Sequence, residues 1–265
     1  MNTSEIPYLT GTTPEEAATQ RILAFSEASL ARHPNGYVLA YSGGKDSDVL
    51  LHLTRASGVP FDAVYNMTYL DAPETIRHIR RVPDICVQHP SASFLDLVRK
   101  NGPPTRMLRW CCRELKEQAS PPAIVLTGIR WQESRRRARR RMFEICRRRK
   151  SVAYLHPLID WTTQDIWNYI ARHHIAVNRL YSMGYHRVGC IGCPMLAVDP
   201  REAAQWPGLF RLWRKALDGW WAATPRAALT WHTPDALWHW WTDLRNTHRE
   251  PIDATPSLYC PQQDE

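Results

Sequence analysis

The chain has 265 residues, of which 44% are hydrophobic, and a formal net charge of +8. This length suits one large α/β domain with or without a smaller appendage, and the hydrophobic content is that of a folded protein. No stretch reaches the roughly 20 apolar residues that a membrane span requires, and the N-terminus lacks the basic and apolar regions of a signal peptide. We therefore expect a cytoplasmic protein with no membrane partner.

Strand-like and helix-like patterns alternate through the first half of the chain. After a predicted helix, PEEAATQRILAFSEASLARH, four strands are predicted at YVLAY, FDAVYNMTYL, DICVQH and AIVLTGIR, with helices at residues 48–56, 74–81 and SFLDLVRKNG. This alternation predicts an α/β fold, with a doubly wound, mostly parallel sheet that has helices on both faces. Such sheets bind ligands at the carboxyl ends of their strands, so residues 42–47, Asp71 and residues 128–133 are expected to meet at one edge.

Tryptophans accumulate beyond residue 160, where the strand patterns stop. The segments WPGLFRLWRKALDGWWAATP and TPDALWHWWTDLRN are typical of helices with large aromatic faces that belong to a core or a docking surface. We interpret them as a C-terminal helical appendage packed on the sheet. The predicted division is a nucleotide-binding α/β domain with a cysteine site over residues 1–195, and a Trp-rich appendage and tail over residues 196–265.

The segment YSGGKDSDVLL places a polar loop between a predicted strand and a predicted helix. Gly43 and Gly44 allow positive φ and close backbone approach, and free N–H groups at a helix start can bind an anion. Lys45 adds a positive charge, and the hydroxyls of Ser42 and Ser47 can donate to phosphate oxygens. The spacings G-x-x-x-x-G-K-[ST] and G-x-G-x-x-G are absent. The string SGGKDS instead resembles the pyrophosphate loop of the ATP pyrophosphatases, which split ATP between the α and β phosphates and adenylate a substrate.

Four of the seven cysteines stand in two close pairs. Cys111 and Cys112 lie in RWCCREL, and Cys190 and Cys193 lie in RVGCIGCPM. Because no export signal is present, metal binding or redox chemistry is the stronger interpretation and a disulfide framework the weaker one. A Cys-x-x-Cys turn has the ligand spacing that a metal needs, and the four thiols indicate either a structural zinc site or an iron–sulfur cluster.

The positive charge is concentrated in one segment, RRRARRRMFEICRRRK, at residues 135–150. It holds ten of the 34 basic residues and one of the 26 acidic residues, so the rest of the chain is close to neutral. A single basic segment favours a polyanion or nucleotide partner such as tRNA or DNA. A solvated, arginine-rich helix face is the alternative interpretation.

The order of the motifs SGGKDS, DAPET, GPPTRMLRWCCRELK, TGIRWQESRRR, HPLIDWTTQDIWNYI and NRLYSMGYHRVGCIGCP resembles the phosphoadenosine phosphosulfate (PAPS) reductase family, including its adenosine phosphosulfate (APS) branch. The resemblance covers residues 37–195 and implies the adenine nucleotide alpha hydrolase-like fold of the pyrophosphate-loop superfamily. Cluster-bearing members of the family hold a [4Fe–4S] cluster beside the nucleotide pocket on a Cys-Cys pair and a later Cys-x-x-Cys. The ligands that this resemblance implies are Cys111, Cys112, Cys190 and Cys193.

Two departures from the family pattern bear on the reaction. The reductases usually have a degraded loop because they do not split ATP, whereas this chain keeps Lys45 and Asp46. They also carry a catalytic cysteine in a C-terminal Glu-Cys-Gly-x-His segment, whereas this chain ends SLYCPQQDE, with Cys260 but without that Gly and His. Relatives with an intact loop resemble ATP-dependent sulfur-transfer enzymes, which adenylate an oxygen on tRNA or a DNA phosphate and replace it with sulfur.

Our first functional hypothesis is therefore ATP-dependent adenylation and sulfur transfer to a nucleic acid, with a sulfur donor as a further partner. Lys45 and Asp46 are the catalytic candidates, Asp46 would help to hold Mg²⁺, and Asp71 is a weaker metal candidate. Arg130 and Arg135 would contact phosphates through bidentate hydrogen bonds. The full nucleotide-binding set is Ser42, Gly43, Gly44, Lys45, Asp46, Ser47, Asp71, Gly128, Arg130 and Arg135.

Two further hypotheses remain open at this point. In an APS or PAPS reductase, the Cys260 thiolate would attack the sulfur of the adenylylated sulfate, and a thiol reductant would release sulfite. A non-catalytic, nucleic-acid-binding accessory subunit would keep the fold and the cluster but would catalyse no reaction. The intact SGGKDS argues against the accessory subunit, because a loop that takes part in no reaction needs neither Lys45 nor Asp46.

Overall fold

The computed structural model describes residues 13–116, 121–147, 149–194 and 199–247, with side chains as far as residue 242. They belong to two compact units. The first takes its described residues from the ranges 1–67, 73–89 and 119–189, and the second from 68–72, 90–118 and 190–265. In the described part of the chain, no helix is both long enough and apolar enough to cross a membrane.

A six-stranded sheet forms the centre of the first unit, in the order β3-β2-β1-β4-β6-β5. Every neighbouring pair is parallel except β5 and β6, which are antiparallel. The strands are β1 Tyr37–Tyr41, β2 Phe61–Asn66, β3 Ile85–Gln88, β4 Ala123–Leu126, β5 Phe143–Ile145 and β6 Val152–Leu155. The predicted α/β fold with a mostly parallel sheet and flanking helices is confirmed.

The described part of the first unit contains five α-helices. They are α1 Pro14–Ala24, α2 Ser26–Leu30, α3 Lys45–Ala56, α4 Pro73–Ile79 and α7 Thr163–Arg172. Thr13 and Glu16 form a capping box at the start of α1, and Thr162 and Asp165 do the same for α7. Apolar residues of α1, α3 and α7 join those of the central strands in one buried core.

The second unit is helical in its described residues. Its helices are α5 Phe94–Asn101, α6 Trp110–Leu115, α8 Arg201–Gln205, α9 Pro207–Ala223, α10 Ala227–Thr230 and α11 Pro234–Thr247. The two Trp-rich segments form α9 and α11, as the sequence predicts. Helix α9 packs on α5 and α11, and Trp213, Trp220 and Trp241 lie in their shared core. The domain boundary at residue 195 stays a prediction.

The structure differs from the sequence prediction most clearly in two parts of the chain. The first predicted helix is divided at Phe25, which leaves helical geometry with φ −108° and ψ 7° and stacks its ring on Phe143. The arginine-rich segment is not a helix, because it forms a 3₁₀ turn at Arg137–Arg139 and then strand β5, which pairs with β6. The helix in the alternative of a solvated helix face is therefore wrong, because β5 pairs with β6, whereas the exposure of these arginines to solvent agrees with it.

Candidate functional site

The SGGKDS loop connects β1 to α3 at the predicted position. Gly43 has φ +69°, and a Cβ there would lie 3.2 Å from Ile79 and 3.4 Å from Thr75. Both observations make a side chain unfavourable at this position, so the glycine lets the loop pass close to α4. The backbone then turns into α3, whose first residue is Lys45.

Ser47 holds the loop together from inside. Its Oγ accepts hydrogen bonds from the Gly44 N–H at 3.2 Å and the Ser42 N–H at 3.3 Å, and donates to the Gly44 carbonyl at 2.7 Å. The Ser42 hydroxyl lies 3.1 Å from Ser47 Oγ, and Ser42 is exposed. Ser47 thus fixes the backbone of the loop, while Ser42 remains accessible to a ligand.

Two cations share the carboxylate of Asp46. Lys45 Nζ lies 2.9 Å from Asp46 Oδ2, and Arg130 Nε lies 2.6 Å from Asp46 Oδ1. Arg130 is only 2% exposed and also donates to the Trp161 carbonyl at 3.1 Å. Lys45 and Arg130 thus place two cations beside the N-terminus of α3, which suits a polyphosphate.

Gly128 allows the loop after β4 to contact Asp46. A Cβ at Gly128 would lie 3.1 Å from the Asp46 backbone carbon and oxygen, so a larger residue would push this loop away. The structure thereby brings residues 42–47 together with Gly128 and Arg130 in the first unit. The contacts of Gly128 and Arg130 are made to Asp46, and their predicted contacts to nucleotide stay predictions.

Tyr181 and Asn178 also contact the loop, and sequence reasoning did not select them. The Lys45 N–H donates to the Tyr181 hydroxyl at 2.9 Å, while Asn178 Nδ2 donates to the Gly43 carbonyl at 3.1 Å. Burial raises the pKa of Tyr181, so its hydroxyl stays protonated at neutral pH. The segment NRLYSMGY carries the family resemblance, but no local pattern marks these two side chains as partners of a loop more than 130 residues away.

A buried polar cluster lies in the first turns of α3. Asp48 Oδ1 accepts a hydrogen bond from Tyr41 at 2.5 Å and lies 3.0 Å from His78 Nε2. Burial, with a smaller contribution from the Asp48 charge, raises the pKa of Tyr41. This cluster connects β1, α3 and α4 through side chains and fixes the direction in which α3 leaves the loop.

The arginine-rich segment presents separate cations on the surface of the first unit. Five of its described arginines are exposed, namely Arg135, Arg136, Arg139, Arg141 and Arg147. Arg137 forms an ion pair with Glu133, and Arg140 pairs with Glu144 at 3.1 Å. The exposed arginines are therefore the ones available to an external polyanion, whereas the paired ones contribute to local structure.

The four paired cysteines all belong to the second unit. Cys111 and Cys112 lie in the first turn of α6, with Cys111 buried, and Cys190 and Cys193 flank the turn at Ile191 and Gly192. None of these four described cysteines is in a disulfide bond. Cys190 pairs with Asp71 through an isolated β-bridge, and its thiol lies 3.5 Å from Thr68 Oγ1.

The charges around these thiols favour a thiolate at Cys112. Its pKa is lowered by the hydrogen bond from Cys111 and by Arg109, whose guanidinium lies 3.9 Å from Cys112 Sγ. The same hydrogen bond and burial raise the pKa of Cys111. Electrostatic interaction with Cys190, and to a smaller extent with Asp71, raises the pKa of Lys116, so Lys116 is a second cation beside the cysteines.

Two predicted site residues, Asp71 and Cys260, are not among the described residues of the first unit. Asp71 belongs to the second unit, where its Oδ2 accepts hydrogen bonds from the N–H and hydroxyl of Thr68 at 3.0 and 2.7 Å. Cys260 lies outside the described residues. Within the described ranges, no group of three or more Cys, His, Asp or Glu side chains has the arrangement of a metal site.

Residues 36–196 match the phosphoadenosine phosphosulfate reductase domain. The chain belongs to this family. It is 28% identical over 222 residues to an adenosine 5'-phosphosulfate reductase of Geobacillus kaustophilus, covering 74% of this chain and 89% of that protein. It is 29% identical over 197 residues to an uncharacterized protein of Methanocaldococcus jannaschii, covering 68% of this chain but only 41% of that protein.

A solved structure also resembles the chain. The phosphoadenylyl-sulfate reductase of Candida auris, in a phosphate complex, has a TM-score of 0.50 and 20% sequence identity, and covers 69% of this chain and 90% of that one. This likeness supports the fold. The domain match confirms the family predicted from the sequence motifs, and this structure agrees with the predicted fold class.

Proposed function

We propose that the protein binds ATP at residues 42–47 and adenylates an oxygen of a nucleic acid, as the first step of sulfur transfer to that position. The observation that carries the proposal is the intact loop at the start of α3, with Lys45 and Arg130 gathered around a single carboxylate. A substrate that is already adenylylated brings no pyrophosphate for such a loop to bind. ATP brings one, and it must leave during adenylation.

The residues of the loop have separable roles in this reaction. The acceptor oxygen would attack the α phosphorus of ATP, the bond to the β phosphate oxygen would break, and pyrophosphate would leave with the electron pair. Lys45 and the N–H groups of the loop would stabilise the charge that develops on the pyrophosphate. Mg²⁺, with Asp46 as its candidate ligand, would neutralise phosphate charge when bound.

The cysteine site supports a [4Fe–4S] cluster by the chemistry of its donors. Four thiols in one unit, with Arg109 and Lys116 beside them, suit the thiolate ligation and the negative charge of such a cluster. Cys111, Cys112, Cys190 and Cys193 would hold it, and it would carry or deliver sulfur. Protein purified without oxygen should then contain about four irons per chain. Stoichiometric zinc without iron would refute the cluster.

The direct test is pyrophosphate release from ATP, measured with and without tRNA or DNA and with a sulfur donor present. We expect release that depends on one nucleic acid, together with sulfur incorporation into it. Nucleic-acid binding with neither pyrophosphate nor sulfite release would instead support the accessory subunit.

A second candidate is the APS reductase reaction, favoured by the relative in Geobacillus kaustophilus, 89% of which the match covers. The Cys260 thiolate would attack the sulfur of APS, AMP would leave, and an external dithiol would then reduce the enzyme thiosulfonate and release sulfite. Sulfite release from APS or PAPS with thioredoxin, abolished by Cys260→Ser, would establish this reaction and contradict our first proposal.

A further inference from the structure

The turn between Cys190 and Cys193 is bonded to the Trp-rich helices of the second unit. The indole N–H of Trp213 in α9 donates to the Ile191 carbonyl at 2.9 Å, and the Gly192 N–H donates to Glu202 Oε2 at 3.0 Å. Trp213 is 1% exposed and Glu202 is 8% exposed. Two buried polar groups from outside the turn therefore hold the two residues between the cysteines.

The contact between Trp213 and the turn leaves room only for glycine. Gly192 has φ +69°, and a Cβ there would lie 2.5 Å from Trp213 Nε1 and 2.8 Å from its Cδ1. These distances are shorter than side-chain contacts allow, so the indole packs directly on the backbone of the turn. An aromatic ring has few rotamers, and it can fix such a backbone more rigidly than a flexible side chain can.

The same tryptophan core also reaches the chain that leads into the other cysteine pair. Trp241 donates its indole N–H to the Pro104 carbonyl at 3.0 Å, and Trp110, which directly precedes Cys111, donates to the Gly102 carbonyl at 3.2 Å. The ring centroids of Trp213 and Trp241 are 4.6 Å apart. One packed core thus supplies indole donors to both cysteine-bearing segments.

We propose that Trp213 and Glu202 are positioning residues for the cysteine site, and that α8 and α9 serve to set the conformation of the Cys190–Cys193 turn before a metal group binds. The inference rests on the proposed cluster. Hydrogen-bonded groups around metal ligands orient those ligands, and their removal typically lowers metal affinity 10- to 100-fold. An ordinary hydrophobic core would need neither a buried carboxylate on the Gly192 N–H nor an indole donor on the Ile191 carbonyl.

The test compares Trp213→Phe with Trp220→Phe. Trp220 lies in the same core and is equally buried, but its ring packs on Trp231. Glu202→Ala is paired with Glu202→Gln, which keeps an oxygen acceptor for the Gly192 N–H. If Trp213→Phe fails to fold, the comparison of Glu202→Ala with Glu202→Gln still tests the proposal. The first readout is iron bound per chain after reconstitution with ferrous iron and sulfide, measured across a chelator series.

We expect Trp213→Phe and Glu202→Ala to lose iron at about 10- to 100-fold lower chelator concentration than wild type. Trp220→Phe and Glu202→Gln should stay close to wild type. The second readout is the alkylation rate of Cys190 and Cys193 in cluster-free protein, which should rise in Trp213→Phe and Glu202→Ala, with Cys86, an exposed thiol, as an internal reference.

The two readouts separate the inference from the proposed cluster. If wild type takes up no iron, the cluster proposal fails, whereas the alkylation rates still test whether the turn is held. If wild type binds iron, and both Trp213→Phe and Glu202→Ala match their controls in iron retention and alkylation, the positioning role is refuted.

Discussion

Lys45 is already paired before any nucleotide arrives, because its ammonium group lies 2.9 Å from Asp46. Arg130 holds the opposite oxygen of the same carboxylate, so Asp46 keeps a cationic partner when Lys45 moves to a phosphate. This arrangement lets Lys45 change partners without leaving Asp46 unpaired. The free energy that Lys45 contributes to binding is therefore the difference between its bond to phosphate and its bond to Asp46.

For Lys45→Ala we expect ATP binding to weaken by roughly 1.5–3 kcal/mol, the range for a hydrogen bond to a charged group. Calorimetric titration with ATP measures the change directly. Lys100→Ala, which removes an exposed lysine near the end of α5, is the matched control and should leave the affinity unchanged. Equal ATP affinity in wild type and Lys45→Ala would refute the assignment of this loop to phosphate binding.

Tyr181 competes for one of the donors that a phosphate needs. Its hydroxyl accepts from the Lys45 N–H, and a phosphate oxygen that binds this N–H must displace it. For Tyr181→Phe we expect pyrophosphate to bind more tightly, by about fivefold, because the free protein no longer loses a hydrogen bond of about 1 kcal/mol. Weaker binding in a pyrophosphate titration would instead mean that the Tyr181 hydroxyl donates to the ligand.

Sequence patterns identify the contiguous part of this site and miss the rest. The residues of SGGKDS occupy adjacent positions between β1 and α3, so motif and context together suffice to select them. Tyr181 and Asn178 reach the same loop only through the tertiary fold, and an isolated Asn or Tyr has no local signature. Arg130 was selected for phosphate, whereas its observed partners are Asp46 and the Trp161 carbonyl.

At the scale of elements, the apolar strands β1 and β4 are predictable and the pair β5 and β6 is not. Every residue of β4 and all residues of β1 except Ala40 are buried, as expected of apolar runs in the middle of a parallel sheet. Strands β5 and β6 have three and four residues beside an arginine-rich segment, and their pairing with each other and with β4 determines their structure. Their position matters because β6 leads directly into His156.

His156, at the ends of β4 and β6, makes the stability of the fold depend on pH. It is fully buried, and its Nδ1 lies 2.6 Å from Thr127 Oγ1. Burial, followed by the charges of Arg140 and Arg137, lowers the pKa of His156 to about 3. An unfolded chain binds this proton near pH 6.5, so unfolding takes up a proton between about pH 6.5 and pH 3. The stabilising contribution of the neutral imidazole is complete above this window and is lost as pH falls through it.

Below pH 6.5, we therefore expect the protonation of His156 to lower the free energy of unfolding by up to about 1.4 kcal/mol per pH unit. The measurement is urea unfolding from pH 7 to pH 4 for wild type and His156→Asn. Subtracting the unfolding free energies of the two proteins cancels the contribution of the carboxylates that titrate in both. The variant should be less stable at pH 7 and show a shallower dependence on pH. Parallel curves for the two proteins would contradict the prediction.

At the scale of the whole molecule, the charge is distributed as the sequence indicates, although the segment that carries it has another structure. Residues 135–150 were compatible with a helix face because charge runs specify no period. In the structure, Glu133 and Glu144 neutralise Arg137 and Arg140, and five other described arginines of this segment are exposed. A polyanion would therefore meet separate guanidinium groups on the 3₁₀ turn and on the loops on either side of β5.

If these exposed arginines contact nucleic-acid phosphates, the logarithm of the affinity should fall linearly with the logarithm of the salt concentration. Each phosphate that an arginine neutralises adds about 0.7 to the slope for single strands and about 0.9 for duplex DNA. Replacing Arg135, Arg136, Arg139 and Arg141 with Gln should lower the slope by that amount for every phosphate that is no longer neutralised. The measurement is tRNA and DNA binding across a salt series.

Arg80 and Arg81 provide the control, because both are exposed in the first unit and lie outside the arginine-rich segment. Their joint replacement by Gln removes two cations from the same unit and should leave the slope unchanged. A general effect of net charge would move both variants in proportion to the charge removed, whereas direct binding of phosphates changes the slope only for the segment. If the four-arginine variant keeps the wild-type slope, these four arginines do not bind phosphates, and the smaller substrate of the APS reductase reaction becomes the better explanation.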